Sequence, residues 1–269
     1  MISRIARSTV ITVAALLICA TGLISPAGAA KKAAPPWKGG AFIVYSENAQ
    51  DCVDIANLNV SWYYNWDDAA PCTSKVPYVP MQWGDWGNGR LTLPAADYQD
   101  QYLLTFNEPD NSTQANMTPQ RALQLWPQLE KTGLALGSPA VTTQGGAWLA
   151  TFMAGAKKDH YRVNFLALHW YGDCSNPQNL ITYLANYEAE YGLPIWLTEF
   201  SCPNDTQAQN AAFAQQVGPL LAKLSYVQRV AWFTDRSFGS VLPSYAGVNL
   251  VNDDGTLNST GHAYASWVK

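Results

Sequence analysis

Two glutamates stand at the ends of apolar runs. Glu108 closes Tyr102-Leu103-Leu104-Thr105-Phe106-Asn107-Glu108, and Glu199 lies near the end of Pro194-Ile195-Trp196-Leu197-Thr198-Glu199-Phe200. A carboxylate at the mouth of a buried strand is costly unless it is paired or put to use. The plain alternative for each is a solvated or ion-paired strand-end residue. Two carboxyls facing each other across a cleft suit glycoside hydrolysis. One protonates the leaving oxygen, and the other attacks the anomeric carbon or activates water. A double displacement would need them about 5–5.5 Å apart. Metal chemistry has less support. His160, His169 and His262 are far apart in sequence, and no Cys-x-x-Cys occurs, so no zinc site is expected.

Elements must exist to position such a pair. Apolar, β-branched or aromatic runs recur at 40–46, 60–66, 77–83, 102–108, 134–139, 163–171, 194–200 and 227–233, the third and fifth being the weakest. Helix-forming stretches lie between them. Thr118 caps and Pro119 opens one. A second spans 177–191 and ends at Gly192, and a third runs from Thr206 to Leu224. Alternating strands and helices predict an α/β fold, a single (β/α)8 TIM barrel. A doubly wound fold would want a Gly-rich phosphate turn after an early strand, and none is present. In a barrel the carboxyl ends of the strands form the active face. That face would collect Glu47, Asn65, Trp66, Trp83, Trp86, Asn107, Glu108, His169, Tyr171, Glu199 and Trp232.

Composition narrows the classes further. The 269 residues are 48% hydrophobic and 13% charged, too apolar for disorder. Lys and Arg number 16 against 20 Asp and Glu, so nothing favours nucleic acid as a partner. Arg4 and Arg7 precede an apolar run from Val10 to Ile24 and a small-residue end at 25–30. This reads as a secretory signal peptide over 1–30, followed by a flexible leader over 31–38 and a catalytic domain over 39–269. A membrane anchor is the rival, but the run is short and broken by Thr12, Thr21 and Gly22. The expectation is an extracellular protein with no membrane contact after cleavage, acting as a monomer. Loss of Arg4 and Arg7 takes the formal net charge from −4 to −6. Cys19 leaves with the signal. Cys52, Cys72, Cys174 and Cys202 remain, and three pairings are open. Local pairing, Cys52–Cys72 and Cys174–Cys202, joins adjacent loops of the active face.

The residues then carry a resemblance. Phe106-Asn107-Glu108-Pro109 resembles the Asn-Glu-Pro signature of a large clan of retaining (β/α)8 glycoside hydrolases. Leu197-Thr198-Glu199-Phe200 is similar to that clan's nucleophile strand. Together with His169-Trp170-Tyr171 and Trp62-Tyr63-Tyr64-Asn65-Trp66, in this order, they resemble glycoside hydrolase family 128, secreted endo-β-1,3-glucanases with a glycosyl hydrolase catalytic core. The resemblance runs from Gly40 to Trp267. It implies Glu108 as general acid then base, Glu199 as nucleophile, and Asn107 on the sugar 2-hydroxyl. It also implies Tyr171 orienting Glu199, and a β-1,3-glucan polysaccharide or oligosaccharide as substrate with no cofactor. Glu108 would need a raised pKa and Glu199 a low one. His169 either lines the sugar subsite or is a buried histidine bonded to backbone.

Trp (11) and Tyr (14) far outnumber Phe (8). Sugars offer apolar C–H faces and hydroxyl rims, which indole and phenol rings match. Trp62, Trp66, Trp83, Trp86 and Trp232 are expected to form a stacking floor, Trp232 first among them because the clan carries a Trp at that strand end. Trp126, Trp148, Trp196 and Trp267 read as packing, and Trp170 has the parity to face helices. Glu47 reads as a surface residue. Asn59, Asn111, Asn116, Asn204 and Asn258 head Asn-x-Ser/Thr sequences, relevant only where a host glycosylates. Two other readings stay open: a same-clan hydrolase of a β-1,4-linked glucan, and a β-glucan-binding barrel without turnover.

Overall fold

Side chains on successive strand residues point to opposite faces. A barrel wall therefore needs one set of residues for its interior and another for its helix layer, and both sets are visible here. The computed structural model describes residues 37–42, 50–85, 91, 101–236 and 245–268. All lie in one compact unit, Ala34–Lys269. The signal, the leader up to residue 36, Glu47 and Trp86 fall outside the described residues, while the last two residues of the expected leader are structured: Trp37 is buried and Lys38 opens β1.

The element order is β1 (Lys38–Ala41), α1 (Gln50–Asn57), β2 (Trp62–Tyr64), β3 (Tyr102–Asn107), α2 (Pro119–Glu130), β4 (Ala135–Ala140), α3 (Gly146–Lys158), β5 (Leu166–Tyr171), α4 (Gln178–Tyr191), β6 (Ile195–Ser201), α5 (Gln207–Leu221), β7 (Val227–Trp232) and α6 (Ser259–Ala265). One sheet runs β2-β1-β7-β6-β5 and a second pairs β3 with β4. All pairings are parallel. Parallel bridges join the sheets at both ends. Gly137–Phe165 and Val141–Leu168 link β4 to β5. Tyr63–Tyr78 and Met81–Leu104 link β2 to β3 through the segment 78–81. The pairings thus run once round a circle of eight staves, the (β/α)8 barrel.

The stave expected over 77–83 is reduced to those isolated bridges. Pro77 and Pro80 have no N–H to give a ladder. Their carbonyls accept from Tyr63 and Leu104, and the Val79 N–H bonds Tyr63 O at 2.9 Å. The weak run at 134–139 is a true strand, β4. Thr118 accepts from the Arg121 N–H to start α2, and Gly192 at φ +61° ends α4. A capping box between Thr206 and Gln209 starts α5. Helices α1, α3 and α6 went unread in the sequence.

Two apolar clusters follow from the parity. Ala41, Trp62, Tyr64, Val79, Met81, Leu104, Ala140, Phe165, Ala167, Trp196 and Ala231 fill the barrel interior. Phe106, Trp126, Phe152, Trp170, Phe213 and Trp232 belong to the larger cluster between strands and helices. The interior floor is closed by Arg229, 1% exposed. Its guanidinium lies 4.0 Å from the Trp196 ring centroid, 4.6 Å from Tyr102 and 5.3 Å from Trp62. Ring faces stabilise a cation that water cannot reach. Gly39 lets β1 pass this floor, because a Cβ there would meet the Trp62 ring at 2.1 Å. Disulfides join Cys52 to Cys72 and Cys174 to Cys202. Among the described residues no helix is long and apolar enough to cross a membrane.

Candidate active site

The carboxyl ends of the staves open into a cleft of about 310 Å³. Trp66, Trp83, Asn107, Glu108, Gln114, Tyr171, Glu199, Phe233 and Tyr245 line it. Asn107 is the last residue of β3, and Glu108 follows at φ +40°. That left-handed conformation costs a non-glycine residue about 1–3 kcal/mol, and the Glu108 N–H bond to Ala140 O at 2.7 Å helps to hold it. Glu199 lies inside β6, and His169 and Tyr171 on β5 share one face.

The two carboxyls converge on one imidazole. His169 Nδ1 is 3.0 Å from Glu108 Oε1 and 3.3 Å from Glu199 Oε2. Donor atoms of the three residues all lie within 4.8 Å of one another. This closeness fits the retaining spacing of about 5–5.5 Å and falls short of the roughly 6.5–9.5 Å of inverting pairs. Glu199 receives the Tyr171 hydroxyl at 2.5 Å and the Trp66 Nε1–H at 2.6 Å, with the Tyr64 hydroxyl at 3.5 Å. Glu108 receives the Asn111 amide at 3.2 Å. The imidazole and carboxylates could also grip a divalent ion, but the same spacing serves a shared proton equally well. In the other close cluster, Cys174, Cys202 and Asp205, both sulfurs are spent in the disulfide.

Burial pushes the Glu199 carboxyl up. The His169 ring pulls it down, the Glu108 charge adds to the rise, and the Tyr171 and Trp66 donors do not cancel it. Burial also raises Glu108, but the His169 bond and charge and the Asn111 amide outweigh it and hold this carboxyl below its usual value. Burial disfavours the His169 cation, yet the two carboxylates prevail and raise its pKa. The expected order, Glu108 high and Glu199 low, is therefore reversed in this geometry. Two causes combine: burial raises Glu199, and the imidazole bonds Glu108 more closely than Glu199. The two glutamates titrate as one unit.

Several expected sugar contacts are corrected. Trp232 is fully buried on the helix side, where it packs on Phe200 and Phe213 and donates to Val248 O at 2.8 Å. Ala231 has the inward parity instead, and the next inward residue, Phe233, reaches the cleft. Trp62 does face inward but sits on the barrel floor, stacked on Tyr64 and against Trp196. Asn65 supports a loop, accepting from Tyr78 and donating to Ala69 O. His169 is wholly buried behind the carboxylates; it neither lines the cleft nor bonds backbone through its ring. Trp66 and Trp83 do line the cleft, and Trp170 stacks on Phe213 of α5. Sequence reasoning missed Tyr64, Asn111, Gln114, Phe233 and Tyr245. Strand parity from Ala231 would have found Phe233. Strand parity from Trp62 would likewise have found Tyr64 on β2, whereas Asn111, Gln114 and Tyr245 lie outside the strands and carry no periodic signal.

Rings build one continuous wall. Trp66 meets Phe233 at 5.7 Å, Phe233 meets Tyr245 at 5.4 Å, and Tyr171 meets both at 5.7 Å. Asp85 pins the Trp83 segment to α2 through Arg121 at 2.8 Å. Beyond Tyr171, a second cavity of about 450 Å³ runs over Gly172, Asp173, Pro203, Asn204 and Asp205.

Comparison with known proteins agrees with this chemistry. The family described as glycosyl hydrolase catalytic core matches residues 39–264. Alkali-sensitive linkage protein 1 of Schizosaccharomyces pombe is 31% identical over 247 residues, 86% of this chain. The chain spans 43% of that protein's length. A GH128 (subgroup I) endo-β-1,3-glucanase from Amycolatopsis mediterranei, solved with laminaritriose, superposes with a TM-score of 0.72 at 34% identity, over 85% of this chain and 98% of that one. A subgroup II endo-β-1,3-glucanase from Sorangium cellulosum gives 0.73 at 30% identity, over 87% and 99%. A subgroup III curdlan-specific exo-β-1,3-glucanase from Blastomyces gilchristii, solved with glucose, gives 0.68 at 29%, over 86% and 97%.

Proposed function

Since the chain belongs to the glycosyl hydrolase catalytic core family, as a member of glycoside hydrolase family 128, we propose that it is a retaining endo-β-1,3-glucanase exported from the cell. The observation that carries this reading is the convergence of Glu108 and Glu199 within 4.8 Å in an aromatic-walled cleft. Glu108 gives its proton to the glycosidic oxygen while Glu199 attacks the anomeric carbon, forming a glycosyl ester and releasing the leaving chain. Glu108, now a carboxylate, takes a proton from water, which attacks the same carbon and frees Glu199. Tyr171 and Trp66 aim Glu199 and stabilise its charge. A glucan in the cleft covers Glu108, 8% exposed, and raises its pKa by desolvation. That moves the shared proton toward the acid that needs it.

Trp66, Trp83, Phe233 and Tyr245 give the sugar faces apolar platforms. The low charge suits a neutral polysaccharide, which needs no electrostatic steering. The second cavity shares Tyr171 with the cleft, and room for further sugar units there would favour internal cleavage. Two disulfides and the basic-apolar start of the chain support export, and we read the enzyme as a monomer. The test incubates the protein with curdlan, laminarin, carboxymethylcellulose and mannan and follows products by size and anomeric configuration. The reading expects mixed oligomers from the β-1,3-glucans with β configuration first. Turnover of carboxymethylcellulose alone would move it to β-1,4-linkages, and binding without turnover would make it a glucan-binding barrel. Glu199→Gln should abolish hydrolysis and keep binding.

A further inference from the structure

Asn107 is 4% exposed, and its Oδ1 has no hydrogen-bond partner. A buried acceptor left unpaired is destabilising, so an orphan of this kind calls for an explanation. Its other amide atom is engaged: Nδ2 donates to Gln114 Oε1 at 3.2 Å. Both residues line the catalytic cleft.

We propose that Gln114 is a positioning residue for hydrolysis, locking the Asn107 amide so that Oδ1 accepts from the 2-hydroxyl of the sugar under attack. This rests on the glucanase reading of the same site. Turning Asn107 alone would set its oxygen against Gln114 Oε1. Turning both amides would leave unpaired N–H groups where a single acceptor now stands. Gln114 can hold this post because its loop is tied back onto β3. Ala115 N–H bonds Asn107 O at 3.2 Å, and Met117 N–H bonds Pro109 O at 2.8 Å. Trp148 fixes the far end through Met117 O at 2.7 Å. Asn107 itself is anchored by its N–H to Trp83 O at 2.9 Å. With the backbone of Asn107 anchored, the bond to Gln114 is what orients its amide.

The test compares the parent, Gln114→Ala and Gln114→Glu on 4-nitrophenyl β-laminaribioside and on its congener lacking the 2-hydroxyl at the attacked unit. Gln114→Ala should lower kcat on the complete substrate about 10- to 100-fold, with KM little changed. On the congener the same substitution should cost less than about 3-fold, since the hydroxyl it serves is gone. Gln114→Glu, which still offers an oxygen to Asn107 Nδ2, should recover most of the loss. An equal penalty on both substrates overturns the proposal. A second readout needs no substrate: exchange of the Asn107 side-chain amide protons, followed by NMR. They should be slowed in the parent and in Gln114→Glu and faster in Gln114→Ala, and the same exchange in all three overturns it too. A parent inactive on the complete substrate would sink the glucanase reading instead, and leaves the amide measurement to judge Gln114.

Discussion

Replacing Trp66 by Phe would isolate one hydrogen bond at the nucleophile. The indole Nε1–H meets Glu199 Oε1 at 2.6 Å, while the Tyr64 hydroxyl reaches the same oxygen only at 3.5 Å. The ring also packs on Tyr64 at 5.1 Å and Phe233 at 5.7 Å, contacts that Phe largely keeps. A hydrogen bond to a charged acceptor contributes about 1.5–3 kcal/mol, and one pKa unit is about 1.36 kcal/mol. Loss of the donor should therefore raise the pKa of the glutamate pair's nucleophilic member by about 1–2 units. Glu199 acts ionised, so the acidic limb of kcat/KM against pH should move up by that amount. Well above that limb the variant should stay within about tenfold of the parent, because Tyr171 still aims the carboxylate. Tyr171→Phe, at 2.5 Å from Oε2, should shift the limb at least as far. An acidic limb that stays in place in both variants would refute Glu199 as the group that must ionise.

Two further outcomes separate packing from binding and acid from nucleophile. Trp232→Ala should remove about 3–5 kcal/mol of stability, lowering Tm by roughly 6–20 °C, with oligosaccharide affinity unchanged in the folded fraction. Trp83→Ala should weaken affinity while barely moving Tm; calorimetry of melting and of laminari-oligosaccharide binding checks both. Asn111→Ala removes a donor from Glu108, so its carboxyl should titrate higher. Glu108 must be protonated to act, so the alkaline limb of the pH–rate profile should rise by up to about 1 unit.

The barrel was legible where strands are continuous apolar runs, as at 102–107 and 195–201. It blurred at 77–83, where Pro77 and Pro80 replace a ladder by single bridges. Helix α3 begins at Gly146 with no side-chain cap, and α1 and α6 are only 8 and 7 residues long, so none of the three announces itself. Glu108, Glu199, Tyr171, Trp66 and Trp83 were readable because each ends or closely follows such a run. Trp232 misled because the clan's strand-end Trp was matched to it, whereas the parity of β7 turns Trp232 to the helices and brings Phe233 to the cleft. Gln114 and Tyr245 lie in loops, where neither period nor propensity marks a residue that points at the cleft.

Trp62, Tyr64 and Trp66 show what parity cannot resolve. Trp62 and Tyr64 share the inward parity of β2 and differ in height by about 6.5 Å, while Trp66 follows past the strand end at φ +61°, so the three do different work. Trp62 lies on the floor beside Arg229, Tyr64 sits beneath Glu199, and Trp66 reaches its carboxylate from the rim. A sequence gives the direction of a side chain through its parity, but depth depends on where the stave starts against its neighbours. Here that register is Gly39 opposite Trp62. A residue larger than glycine at 39 could not pass the indole, so the height of Trp66 against Glu199 is set partly by a glycine on the neighbouring strand.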